Sequence, residues 1–392
     1  MKVLIAHNHY QMSGGEDIVV NSEYKLLLGR GHQVELYAVS NDIVDGTYAK
    51  VLTAINSKYS KKTRIEFTDR LKRFRPDVVH VHNFFPLLTP SIYDACRAFN
   101  IPVIQTLHNY RLLCCGAMLL RNGSICTKCI DDSLLYGIYH RCYRRSFLGS
   151  LFLTRMIRYH NKCRTWNSKV DYFIALTEFS RRIFIDAGFP HDKVVVKPNF
   201  SNSEPYKDYT SNRSGAIFVG RLSEEKGIEN LMEAWSEITL PLKIVGDGPL
   251  RNKLQAVAPK NVVFMGKMDS EQVLREMQSA EFLIVPSVWY EGFPMVIVEA
   301  FSAGLPVLAS RLGGMAEIVK DGVTGLHFNS NDIIDLRAKI EWAFANNSSM
   351  KEMGARAYQT FCEKYTADEN YKHLIGIYSK AIYGYKLHYE KK

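Results

Sequence analysis

No stretch of 18 consecutive apolar residues occurs in the 392-residue chain, so no membrane-spanning helix of ordinary length is expected. A signal peptide is missing too: Met1-Lys2-Val3-Leu4-Ile5 enters an apolar strand directly, and a cytoplasmic protein is the expectation. The G-x-G-x-x-G dinucleotide fingerprint is absent, as is any nucleic-acid-binding module, so nucleic acid is not an expected partner. Acidic residues are scarce in the first half, where 28 Lys and Arg face 16 Asp and Glu over residues 1–200, against 22 and 24 over the rest. The whole net charge of +10 thus originates in the first half. A basic face without a nucleic-acid module points to a phosphorylated ligand or an anionic membrane surface.

The hydrophobic fraction of 46% and charged fraction of 23% are those of a soluble globular protein, and the length admits two domains with separate cores. Apolar runs at 2–8, 34–39, 78–81, 103–107, 173–175 and 194–196 alternate with helical or irregular segments. That alternation predicts an α/β domain with parallel winding over residues 1–200. Residues 201–213 are polar and unpatterned, the expected linker. Strands at 216–219, 242–245, 262–265, 282–285 and 307–309 predict a second such domain over 214–365, closed by a helix over 366–392.

The stretch from Phe282 to Ala300 organises the second domain. A buried strand is followed by a loop punctuated by Pro286, Gly292 and Pro294, and then by a helix that Pro294 can open. In open α/β sheets ligands bind at the strands' carboxyl ends, and free amides at a helix start, here Phe293 to Val296, suit an anion. Glu291 precedes the helix and Glu299 lies inside it. Upstream, the strand ending at Gly220 delivers Arg221 and, five positions on, Lys226, two cations suited to a diphosphate. In the first domain the 2–8 strand leads into Gly14-Gly15-Glu16, a turn that lets backbone approach a ligand, and the 103–107 strand ends in His108-Asn109. Imidazole is the side chain best suited to act near neutral pH.

Glu291-x7-Glu299 ahead of Ala303-Gly304-Leu305-Pro306, together with Gly220-Arg221-Leu222-x3-Lys226-Gly227, resembles the retaining GT-B glycosyltransferases of family 4 (group 1). The resemblance covers nearly the whole chain and implies two Rossmann-like domains whose parallel sheets face a central cleft. It implies transfer of a hexose-type sugar from a nucleotide-diphospho-sugar to an acceptor hydroxyl, with retention and without an obligatory catalytic metal. By the same resemblance, Arg221 and Lys226 hold the diphosphate, Glu299 the ribose, and Glu291 the hydroxyls of the transferred sugar. Backbone near Gly266 and Met268 pairs to the base, and Gly15, Gly292, Phe293, Met295 and Val296 complete the donor side. His108 orients the transferred sugar, with Gly14, Glu16 and Asn109 on the acceptor side. The closing helix crosses back to the first domain. Two other readings share these residues: a sugar-nucleotide epimerase of the GT-B type, which needs no acceptor, and a non-catalytic relative, against which the presence of both cations and both acids argues.

Residues 112–165 carry six of the eight cysteines. Cys114, Cys126, Cys129 and Cys142 offer a Cys-x2-Cys knuckle and enough thiols for a structural zinc, with unligated thiols the equal alternative; a subset of the resembling enzymes has such an insert. From Arg141 to Tyr159, basic and large apolar residues interleave, predicting an amphipathic helix able either to lie on an anionic leaflet or to pack inward. The basic first domain fits a lipid-linked or saccharide acceptor at the inner face of the membrane, in capsule, O-antigen or exopolysaccharide assembly.

Overall fold

The computed structural model describes residues 1–11, 14–203 and 213–389, so most of the expected linker lies outside the described residues. The chain divides into two compact units, one made of Met1–Leu119, Cys126–Pro198 and Asn370–Lys392, the other of Leu120–Ile125 and Asn199–Glu369.

In chain order the first strands are β1 (Lys2–His9), β2 (Gln33–Ser40), β3 (Val78–Asn83) and β4 (Val103–Leu107), then the short hairpin β5 (Leu120–Arg121) and β6 (Ser124–Ile125), then β7 (Tyr172–Ala175) and β8 (Val194–Val196). The sheet of the first unit has the order β2-β1-β3-β4-β7-β8, and every pair is parallel. β3 and β4 are buried along their whole length, as expected where helices cover both faces of a parallel sheet. The winding reverses between β1 and β3, so the carboxyl ends of those strands flank the switch point where such sheets bind ligands. Helix Ala367–Tyr389 buries Leu374, Tyr378 and Ala381. Its Tyr378 hydroxyl lies 2.8 Å from His80 Nδ1 on β3.

The second unit contains β9 (Ala216–Val219), β10 (Leu242–Val245), β11 (Val262–Gly266), β12 (Phe282–Val285), β13 (Val307–Ser310) and β14 (Gly325–Phe328). Their order is β11-β10-β9-β12-β13-β14, again all parallel, and the switch point falls between β9 and β12. One face packs Trp235, Phe282 and Leu308, and the other packs Ile297, Phe301 and Phe361. β14 goes beyond the sequence expectation. Its four residues include a glycine and a histidine, too short an apolar run to announce a strand, and pairing with β13 decides its conformation.

The helix expected from Arg141 begins later, at Phe147, and runs to Lys162. Ser146 caps it, accepting the Gly149 N–H, while Arg141, Arg144 and Arg145 have φ of 50°, 51° and 55° and cannot belong to it. Its buried side carries Leu153, Met156 and Ile157, whereas Phe147, Leu148, Arg155 and Arg158 are exposed. No helix among the described residues is long and apolar enough to cross a membrane.

Candidate active site

At the β9/β12 switch point of the second unit, the turn after β9 is pressed onto the end of β12. Gly227 has φ 65°, and a Cβ there would lie 1.9 Å from the Pro286 carbonyl oxygen, so only glycine fits. Just before it, Lys226 ends a single 3-10 turn, Glu224–Lys226. Its Nζ lies 2.8 Å from Glu291 Oε1 and 5.8 Å from the centre of the Trp289 ring. Ser287 Oγ donates to the same Glu291 oxygen. The Glu291 side chain is 7% exposed, and that of Lys226 is 25% exposed. A buried carboxylate is thereby neutralised, while the ammonium keeps donors for an additional anion. Arg221, exposed at the end of β9, has no side-chain hydrogen bond or ion pair among the described residues.

Helix Met295–Ser302 starts after Pro294, which sits outside it at the N-cap. Its first amides have no partner within the helix. Phe293 and Val296 are partly buried against the core, Met295 is half-buried and Gly292 buried. Glu299 lies one turn into the helix, and burial raises its carboxyl above the usual range. Gly266 closes β11 with φ 75°, its carbonyl accepting the Gly246 N–H at 2.8 Å; Met268, two residues on, packs against the core.

In the first unit, the carboxyl ends of β1, β3 and β4 bring together a group of histidines. Gly14 precedes helix Gly15–Gly29, and its N–H donates to Asp17 Oδ2 at 2.9 Å. Asp17 Oδ1 lies 2.8 Å from both His7 Nε2 and His9 Nδ1. Burial pushes the Asp17 carboxyl up, but the hydrogen bonds from His7, Gly14 and His9 outweigh it and bring the pKa down to about 2. Beside it Glu16 is pushed up to about 8, mainly by burial. His108 Nε2 lies 2.9 Å from His82 Nδ1. Burial, helped by the charges of nearby histidines and Lys197, holds both rings well below the ordinary histidine value. Asn109 Nδ2 is 3.3 Å from the Tyr10 hydroxyl and its Oδ1 accepts the Arg111 N–H.

Sequence reasoning picked out His108 and Glu16 but missed His7, His80, His82, Asp17, Glu23 and Lys197. The signal was present as two His-x-His pairs, His7-Asn8-His9 and His80-Val81-His82, each near a strand's carboxyl end, where alternation points both imidazoles to one face.

The cysteines of residues 112–165 are all free. A thiol contact with Cys129 lowers the Cys114 pKa below the usual thiol range, and Cys115 Sγ points to the Ser150 carbonyl at 3.7 Å. A Cβ on Gly137 would meet Cys115 Cβ at 2.7 Å. Among the described residues the sets of three or more potential metal ligands within 4.8 Å of one another are His7/His9/Asp17 and Glu23/His80/His82. Cys114, Cys126, Cys129 and Cys142 do not supply a third such set among the described residues.

The two halves match two family models, "Glycosyltransferase Family 4" over residues 13–204 and "Glycosyl transferases group 1" over residues 208–360. An uncharacterised glycosyltransferase of Methanocaldococcus jannaschii is 27% identical over 370 residues, covering 93% of this chain and 94% of that protein. Among solved structures, the sucrose-phosphate synthase of Thermosynechococcus elongatus superposes with a TM-score of 0.73 at 16% identity, covering 97% of this chain and 98% of that one. HepE of Anabaena, solved in complex with UDP, gives a TM-score of 0.68 at 16% identity, with 97% and 100% covered. The fold is accordingly the two-domain GT-B fold of glycosyltransferases.

Proposed function

From the match of its first half to the Glycosyltransferase Family 4 model and of its second half to the group 1 glycosyltransferase model, we propose that the chain moves a sugar from a nucleoside-diphosphate sugar to an acceptor hydroxyl with retention at the anomeric carbon. The bond from that carbon to the donor phosphate oxygen breaks, and the acceptor oxygen bonds to the same face. The acceptor's proton passes to the departing phosphate. Charge growing on the diphosphate is met by Arg221, Lys226 and the amides opening helix Met295–Ser302. Glu299 takes the ribose hydroxyls, Glu291 those of the transferred sugar, and His108 orients that sugar.

The observation that carries this reading is the joining of Lys226, Ser287 and Glu291 at the second sheet's switch point. Sequence segments 65 residues apart there fix a cation, a carboxylate and a helix start, the chemistry a sugar diphosphate needs. For the acceptor, we propose a lipid-linked, phosphorylated saccharide at an anionic membrane surface, in surface-polysaccharide assembly. Exposed Leu135, Tyr139, Phe147 and Leu148 interleaved with Arg144, Arg145, Arg155 and Arg158 support it.

A thermal-shift screen against UDP, GDP, ADP and dTDP and their sugars tests the donor. One nucleotide series is expected to raise the midpoint by linkage, and Arg221→Ala to abolish that rise. Failure of every donor to move the midpoint, or conversion of the donor sugar to an epimer with no acceptor present, overturns the transferase reading.

A further inference from the structure

Behind His108 a chain of buried polar groups ends in an ion pair. Lys197, just after β8, has its Nζ 2.7 Å from Glu23 Oε1, and both side chains are 1% exposed. Glu23 belongs to helix Gly15–Gly29. Its other oxygen, Oε2, lies 3.4 Å from His82 Nε2, and neither atom forms a hydrogen bond. On the far side of the same ring, His82 Nδ1 is 2.9 Å from His108 Nε2. The two imidazoles are tilted by only 22° with centroids 5.2 Å apart, an edge-to-edge placement that suits an N–H···N bond.

This order fixes where the protons sit. Lys197 has donors only, so the carboxylate opposite it has only acceptors to offer. A bare lone pair on His82 Nε2 would be repelled by the Glu23 carboxylate 3.4 Å away, so electrostatics places the ring's N–H on Nε2 although no hydrogen bond forms there. A neutral imidazole has one N–H, leaving His82 Nδ1 as an acceptor. His108 Nε2 must supply the hydrogen, and His108 Nδ1 is left as a bare lone pair. Burial that disfavours the cationic form of both rings supports the single-proton count. His108 is half-buried and borders a cavity of about 20 Å³ shared with Asn109 and Arg111.

We infer that Lys197, Glu23 and His82 are positioning residues that hold His108 in its Nε2–H tautomer, so that Nδ1 accepts a hydrogen bond from a hydroxyl of the transferred sugar. The consequence for catalysis rests on the role given to His108 above; the tautomer itself does not. Glu23→Gln replaces an acceptor with a group whose amide can donate, which permits the whole chain to reverse and puts the proton on His108 Nδ1.

Long-range proton–nitrogen correlation spectra of the full chain labelled with 15N-histidine, with His108 assigned from its loss in His108→Asn, read the tautomer directly. The wild type is expected to show Nε2–H and Glu23→Gln to show Nδ1–H, with kcat falling about tenfold and the donor KM little changed. Because Glu23→Gln strands a buried ammonium, Glu23→Gln/Lys197→Met is run beside it and is expected to show the same reversal. A wild-type Nδ1–H, or an unchanged tautomer in both variants, overturns the inference. Reversal with an unchanged kcat supports the proton relay and overturns the role of His108 at the sugar.

Discussion

Glu16 carries a carboxyl pushed up to about 8, chiefly by burial and further by the charge of Asp17, with the Tyr10 hydrogen bond and the Arg111 charge opposing. An acid whose folded pKa lies above its unfolded value binds more protons in the folded state. Its stabilising effect is fully present below about pH 4.5 and disappears as pH rises through about 8. Asp17 works the other way, contributing above about pH 3.8 and losing that contribution as pH falls toward 2. The thermal midpoint of Glu16→Gln relative to wild type is therefore expected to rise between pH 5 and pH 8. The comparison cancels histidines that change charge in the same window, and parallel pH curves for the two proteins would exclude it. At this scale the sequence singles out Arg221, Lys226, Glu291 and Glu299 as candidates because each sits in a spaced motif. It did not disclose that Lys226 and Glu291 bind each other, nor that Glu23 and Lys197, 174 positions apart, pair beneath the histidines. Such pairs are made by sheet order, which no local pattern encodes.

Strands surrounded by helices on both faces were the most legible elements, since burial on both sides leaves an unbroken apolar run such as Val103–Leu107. β14 was lost because its pairing with β13, rather than its own four residues, makes it a strand. The helix after the cysteine segment was legible in its amphipathic pattern but not in its start, which Ser146 and three left-handed arginines set. Its exposed end, with Phe147 51% and Leu148 58% accessible, is where the membrane proposal is tested. Phe147→Ser/Leu148→Ser is expected to lower the fraction of protein sedimenting with anionic vesicles severalfold, while the thermal midpoint and donor-induced shift stay put, since neither side chain packs in the core. Neutral vesicles should bind neither protein. Equal sedimentation of variant and wild type on anionic vesicles would assign those residues another role.

The basic excess of the first half and the unit to which the final helix belongs are properties of the whole chain. Asn370–Lys392 forms part of the same compact unit as β1 to β4, although over 170 residues of the second unit separate the two stretches in sequence. Removing residues 370–392 takes away the buried Leu374, Tyr378 and Ala381 and the Tyr378 hydroxyl bonded to His80. It also removes Tyr385, whose ring receives the Arg97 guanidinium at 5.1 Å. Losing one buried large side chain costs about 3–5 kcal/mol, and this deletion removes several, against a domain stability of about 5–15 kcal/mol. A chain ending at residue 369 should therefore lose amide-exchange protection along β1, β3 and β4, while β9, β12 and β13 retain theirs. The donor-induced protection at the end of β12 should survive in the same molecule, because Lys226, Ser287, Glu291 and helix Met295–Ser302 all belong to the second unit. Loss of protection in both sheets together would mean that the two units fold as a single cooperative body, with the last helix stabilising the whole.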